Sequence, residues 1–171
     1  KITALLVFFH EYAHGIIDQL VPRINHPLFT QYGFARTAYD MVNEGFATTL
    51  ELMLADKMIA AGNELRLGDR DIRDLKKWKR QRLLNLKHHK SHYTTGTFYF
   101  WHRLYRREGE IGMLRLMKKL DARHLESIPY HFESSHRKNS EIGANLLRRY
   151  GALPAAPDGE DQAAPRLLFS P

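Results

Sequence analysis

The chain contains no cysteine, which excludes a disulfide scaffold, a thiolate-held iron–sulfur cluster, a cysteine zinc finger and a cysteine nucleophile. Any metal must then rest on histidine and carboxylate. Long apolar runs are missing as well. The stretch from Ile2 to Leu20 carries His10, Glu11, His14 and Asp18, too polar for a bilayer span, and no later segment approaches the roughly 18 apolar residues such a span needs. Strand signals are weak throughout, and no internal repeat is present. Lys1 stands where a starting methionine would, and no small-residue cleavage site follows the first apolar run, so the chain reads as excised or incomplete rather than as one led by a signal peptide. Its 171 residues suit one compact domain, and 43% hydrophobic with 26% charged residues are the proportions of a globular chain.

The formal charge of +7 has one address. Between Arg73 and Lys90 eight basic residues stand against Asp74 alone, and charges balance over the rest of the chain. Trp78 is the single aromatic in this stripe. Platforms for single-stranded nucleic acid interleave several aromatics with their cations, so nucleic acid is not the expected partner. The ordinary reading of such a run is a solvated helix face.

Leu6, Phe9, Ala13, Ile16, Ile17 and Leu20 recur at helical spacing, and Pro22 closes that helix after Val21. Arg23 to Tyr39 has no clean period and reads as a long connection. A second helix is predicted from about Tyr39 to Ala61, with Val42, Phe46, Leu50, Met53 and Leu54 as its apolar stripe and Gly62 at its stop. A third, basic helix, capped by Asp69 or Asp71, runs to about Lys87. A fourth covers Thr97 to Arg107 and ends near Gly109, a fifth runs from Ile111 to Leu120, and a last short one from Ser140 to Tyr150. The fold expected is mainly α. Residues 1–151 make the domain, and 152–171, rich in proline, alanine and aspartate, are expected to form a flexible tail.

His10-Glu11-Tyr12-Ala13-His14 is an H-E-x-x-H motif on the first helix, the context this motif requires. Four helical residues leave the imidazoles about 40° apart and about 6 Å along the axis, so both reach one zinc ion at about 2.0–2.1 Å. Glu11 lies beside them, placed to act as general base toward water acidified by that ion. A shuffled chain of this composition yields about 0.03 such motifs, so the motif needs a third ligand to support it. A histidine six residues after His14 would make the metzincin pattern, but Leu20 stands there. The other common solution is a glutamate on a second helix. Asn43-Glu44-Gly45-Phe46-Ala47 supplies one 30 positions after His14, with Gly45 and Ala47 small enough for a close approach to the first helix. Asp40, one turn earlier on the same face, is the rival ligand.

These residues resemble the gluzincin metallopeptidases, whose third zinc ligand sits in N-E-G-x-A or a close variant. The resemblance spans roughly Phe8 to Leu120 in three short blocks of the right order. It implies a helical zincin subdomain with the motif helix packed on the glutamate helix, one Zn2+ ion on His10, His14 and Glu44, and a peptide or protein substrate. Glu51, seven residues after Glu44 and about 20° off the same face, matches the glutamate that supports a ligand histidine in aminopeptidase-N-like members; Asp18 is a weaker candidate for such support. Tyr93-Thr94-Thr95-Gly96 is similar to their Y-x-x-G segment, which gives Tyr93 the role of hydroxyl donor to the oxyanion, ahead of His88, His89 and His92. The long interval between His14 and Glu44 is closer to bacterial collagenases and small peptidase-MA-like domains. The upstream sheet that recognises an amino terminus in aminopeptidases has no counterpart in this sequence, so endo and exo cleavage both stay open.

A reading from another class is a noncatalytic binding module, with a vestigial metal site and the basic helix against an anionic partner. An intramembrane zinc protease fails on the absent spans. His26, in the long connection, receives no function, and oligomeric state and compartment, cytoplasmic or bacterial extracytoplasmic, are open.

Overall fold

A computed structural model describes residues 2–22, 37–88, 92–128 and 136–150, with the side chains of 88, 92–96, 136–140 and 142 outside that description. Six helices follow in chain order: α1 (Ile2–Leu20), α2 (Ala38–Ala60), α3 (Asp69–His88), α4 (His92–Met117), α5 (Ala122–Ser127) and α6 (His136–Arg148). No β-strand element occurs among the described residues. None of their helices is long and apolar enough to cross a membrane. The expected tail at 152–171, His26, His89 and most of the connection after Pro22 lie outside the described residues.

α2 is the central element, packed against α1 and α4 above all and touching α3 and α5. Its sequence pattern suggests a single apolar stripe, yet it is buried nearly all round, Asn43, Thr48, Thr49 and Glu51 included. A helix with neighbours on every side has no polar face to spare, so its polar residues become internal partners. Asp40, the rival ligand, is used at the start of this helix. Its Oδ2 accepts the Thr37 backbone N–H at 2.9 Å in a capping box.

The small residue at Gly45 serves α4 rather than α1. A Cβ there would stand 2.1 Å from Thr97 Oγ1 and 2.7 Å from the Phe98 nitrogen. Across the same seam Thr97 Oγ1 donates to the Met41 carbonyl (2.7 Å) and the Trp101 indole N–H to the Val42 carbonyl (3.1 Å). Trp101 is fully buried, edge-on to Phe46 at 5.3 Å between ring centroids.

α4 begins at His92, five residues before the start read from periodicity, so the Tyr93–Gly96 segment forms its first turn. The break predicted near Gly109 is there, at φ 65° and ψ −160°, backbone that glycine alone adopts at no steric cost. The helix resumes past it and ends at Met117, short of Leu120. The six-residue α5, capped by Asp121 accepting from the Arg123 and His124 N–H groups, is an element the periodicity does not reveal. α6 spans His136–Arg148, shifted toward the N-terminus from the expected Ser140 to Tyr150.

α1 lays Leu6, Ala13 and Ile17 into the core, with Phe9 and Ile16 half-buried, whereas Leu20, assigned to the same stripe, is 42% exposed. Its opposite face carries Phe8 and Tyr12, exposed and stacked on each other.

Gly45→Ala is expected to lower the melting temperature by several degrees, because α2 and α4 must part to admit one methyl, at about 1–3 kcal/mol. Thr97→Ala should not restore it, since the Phe98 backbone nitrogen blocks the same space. Thermal unfolding of the single and double variants checks this, and unchanged stability of Gly45→Ala contradicts it.

Candidate metal centre

His10 and His14 project from α1 toward Glu44 on α2. His10 Nε2 lies 3.5 Å from Glu44 Oε2, and His14 Nε2 lies 3.7 Å from Glu44 Oε1. The two imidazole rings stand 4.8 Å apart between centroids and nearly perpendicular, at 87°. One donor atom from each of His10, His14 and Glu44 falls within 4.8 Å of the other two. Ligands about 2.1 Å from one tetrahedral ion are about 3.4 Å from each other, so the observed separations are those of a cradle slightly wider than a bound ion needs. All three side chains are part-buried, 14%, 21% and 23% exposed. Two imidazoles and a carboxylate are the donor set of a zinc site with one open position. The residues fit the ion.

The rear nitrogen of each ring faces its own partner. His14 Nδ1 is 2.8 Å from Asn43 Oδ1. Asn43 Nδ2 donates to Asp18 Oδ1 at 3.3 Å, and the Tyr39 hydroxyl reaches the same Asp18 oxygen at 2.6 Å and the Val21 carbonyl at 2.8 Å. With Asn43 oriented as acceptor, His14 carries its proton on Nδ1 and turns Nε2 toward Glu44. His10 Nδ1 is buried, and Glu51 Oε2 approaches it at 3.4 Å. That is a charge contact rather than an aligned hydrogen bond, and Nδ1 has no better partner among the described residues. Glu51 thus stands behind the His10 ring. Its Oε2 also accepts from Arg82 of α3, at 3.2 Å from Nε and 3.0 Å from Nη2.

Glu11, next to His10 in the chain, is exposed on α1. Tyr93 sits in the first turn of α4, and its side chain lies outside the described residues, as do those of His88 and His92. Asp18 acts one step further back than the sequence suggests, through Asn43 rather than on an imidazole directly. Asn43, Tyr39 and Arg82 are the residues sequence reasoning missed. Asp18 follows His14 by four residues and Tyr39 precedes Asn43 by four, so helical spacing holds a signal for this relay. Nothing local marks Arg82, 31 residues from Glu51.

Burial opposes charge on the His10 ring, but the closeness of the Glu44 and Glu51 carboxylates outweighs it and raises the pKa to about 9 from an ordinary 6.5. The signal of this cluster is chemical and local. Comparison of the chain with protein-family models, with curated proteins and with solved structures finds no match in any of the three.

A pKa raised in the folded state stabilises that state fully below the unfolded value of 6.5 and loses the contribution as pH rises through about 9. In the presence of a chelator, the melting-temperature advantage of wild type over His10→Gln should therefore shrink across that interval. Thermal unfolding at half-unit steps measures it, and a constant or widening gap contradicts the arrangement.

Proposed function

We propose that this chain is a zinc-dependent peptidase of gluzincin type, in which His10, His14 and Glu44 hold one Zn2+ ion. The observation that carries the reading is the pairing of both His Nε2 atoms with the two oxygens of Glu44, at 3.5 and 3.7 Å, while Asn43 and Glu51 stand behind the rings. A structural ion pair needs no such convergence of two neutral-capable donors and one carboxylate.

An ion held there supplies Lewis acidity, acidifying water and polarising the carbonyl of the scissile bond. Glu11, adjacent to His10 and open to solvent, accepts the water proton and then delivers it to the leaving amine nitrogen. Glu51 and Asn43 keep the imidazoles turned so that Nδ1 carries the proton and Nε2 is free to ligate. Tyr93 is assigned the hydroxyl that donates to the developing oxyanion. The packing of Thr97 on Gly45 supports that assignment, since it sets the start of α4 beside the turn of α2 that carries Glu44, and Tyr93 precedes Thr97 by one helical turn. Peptide or protein is the substrate class, as an extended main chain can present its carbonyl beside an exposed base on the flank of α1.

One observation favours a second reading, a noncatalytic binding module. Arg73, Lys76, Lys77, Arg80 and Lys87 fall within about 100° of one face of α3, all exposed and without an acidic partner among the described residues. Binding of a polyanion that weakens with salt, in a chain that hydrolyses no peptide, would mark that reading.

Glu11→Gln should retain zinc and lose at least about 100-fold in peptide hydrolysis, the scale of a lost general base, while His14→Ala should lose both metal and turnover. Metal content and cleavage of a mixed peptide library, measured on the same preparations, check this; wild-type turnover in Glu11→Gln would falsify the mechanism.

A further inference from the structure

We infer that Arg82 is a positioning residue of the proposed metal centre: it clamps the Glu51 carboxylate so that Glu51 in turn fixes the His10 ring. The inference rests on the reading of His10, His14 and Glu44 as metal ligands.

Glu51 Oε2 is the shared atom. It accepts Arg82 Nε at 3.2 Å and Nη2 at 3.0 Å, and it lies 3.4 Å from His10 Nδ1. The Glu51 side chain is only 6% exposed, so water cannot hold it in place and a protein donor must. Two N–H groups of one rigid, planar guanidinium on a single oxygen set both the position and the direction of that oxygen. Without them the carboxylate is free to rotate away from Nδ1, and the long, unaligned contact to His10 has nothing else to keep it.

The surroundings exclude the simplest alternative, that Arg82 is one more cation of the solvated stripe. Arg70, Arg73, Lys76, Lys77, Arg80 and Lys87 of α3 are exposed, whereas Lys79 and Arg82 turn inward and pair with Asp56 and Glu51. Residue 79 thus meets 56 and residue 82 meets 51, an antiparallel register that seats α3 along α2. A guanidinium near a divalent-ion site opposes the ion by simple repulsion, so its presence there calls for a nearer anion that it serves. Glu51 is that anion. Arg82 also forms, with Trp78 and Asn85, the α3 wall of a cleft of about 320 Å³ whose other wall includes Val7, His10 and Glu51.

The test is zinc affinity by chelator competition on the 171-residue chain, for wild type, Arg82→Met, Arg82→Lys, Glu51→Gln and the two double variants, with circular dichroism verifying the helical content of each. Arg82→Met should weaken zinc binding by about 10-fold, the loss typical of removing a group that orients a ligand. Arg82→Lys, which keeps the charge and loses the fork, should fall between it and wild type. In the Glu51→Gln background Arg82→Met should cost little more, since its target is gone. A purely structural role would instead lower the stability of the metal-free chain and leave the affinity of the folded protein alone. Unchanged or tighter zinc binding in Arg82→Met, or an equal loss in both backgrounds, overturns the clamp while leaving the metal site standing. If Arg82→Met does not fold, the Arg82→Lys comparison in the two backgrounds gives the same decision. A wild type that binds no zinc removes the metal reading itself, and this inference with it.

Discussion

Two carboxylates on one face of a buried helix must each find a positive partner, and the arrangement of the molecule follows from how they do so. Glu44 and Glu51 lie seven residues apart on α2, and both point at α1. Uncompensated charge in a part-buried seam between helices is strongly unfavourable. Glu51 receives the Arg82 guanidinium from α3. Glu44 faces two imidazoles, and one that carries a proton answers its charge. The raised pKa of His10 reflects that answer. In the proposed metal centre a divalent ion would compete with this proton.

The rest of the fold holds that seam at the correct width. Gly45 lets α4 press on the far side of α2, immediately after Glu44. The Thr37–Asp40 capping box fixes where α2 starts, and the Ala38 N–H bond to the Ile128 carbonyl ties that start to the end of α5. Ala13, fully buried, keeps α1 near α2 between the two histidines. The chain Tyr39–Asp18–Asn43–His14 uses three polar side chains to orient one imidazole. Polar groups that would burden an ordinary core are satisfied here by one another and by the imidazole they orient.

Much of this was legible in the residues. The first three helices are found close to where periodicity and capping place them, because each has a clear start or stop signal: Pro22, Gly62, Asp69. The cluster of His10, His14 and Glu44 is legible because H-E-x-x-H is a local pattern and N-E-G-x-A a second one, and each side chain's reach is determined by helical geometry. What could not be read depends on contacts between segments far apart. The all-round burial of α2 removes the stripe that a surface helix would show. Gly45 faces α4 rather than α1, since the size of a residue does not tell which helix presses on it. Arg82 is indistinguishable from the outward lysines and arginines around it until α3 is laid along α2, when one register turns it toward Glu51.

The most direct measurement of the central claim is the zinc-to-protein ratio of the purified chain beside Glu44→Ala, both washed with the same chelator. A ratio near one in wild type, falling sharply in Glu44→Ala while both remain helical, is what two imidazoles and this carboxylate predict. A metal-free wild type, or a ratio that Glu44→Ala leaves unchanged, would contradict a centre built on His10, His14 and Glu44.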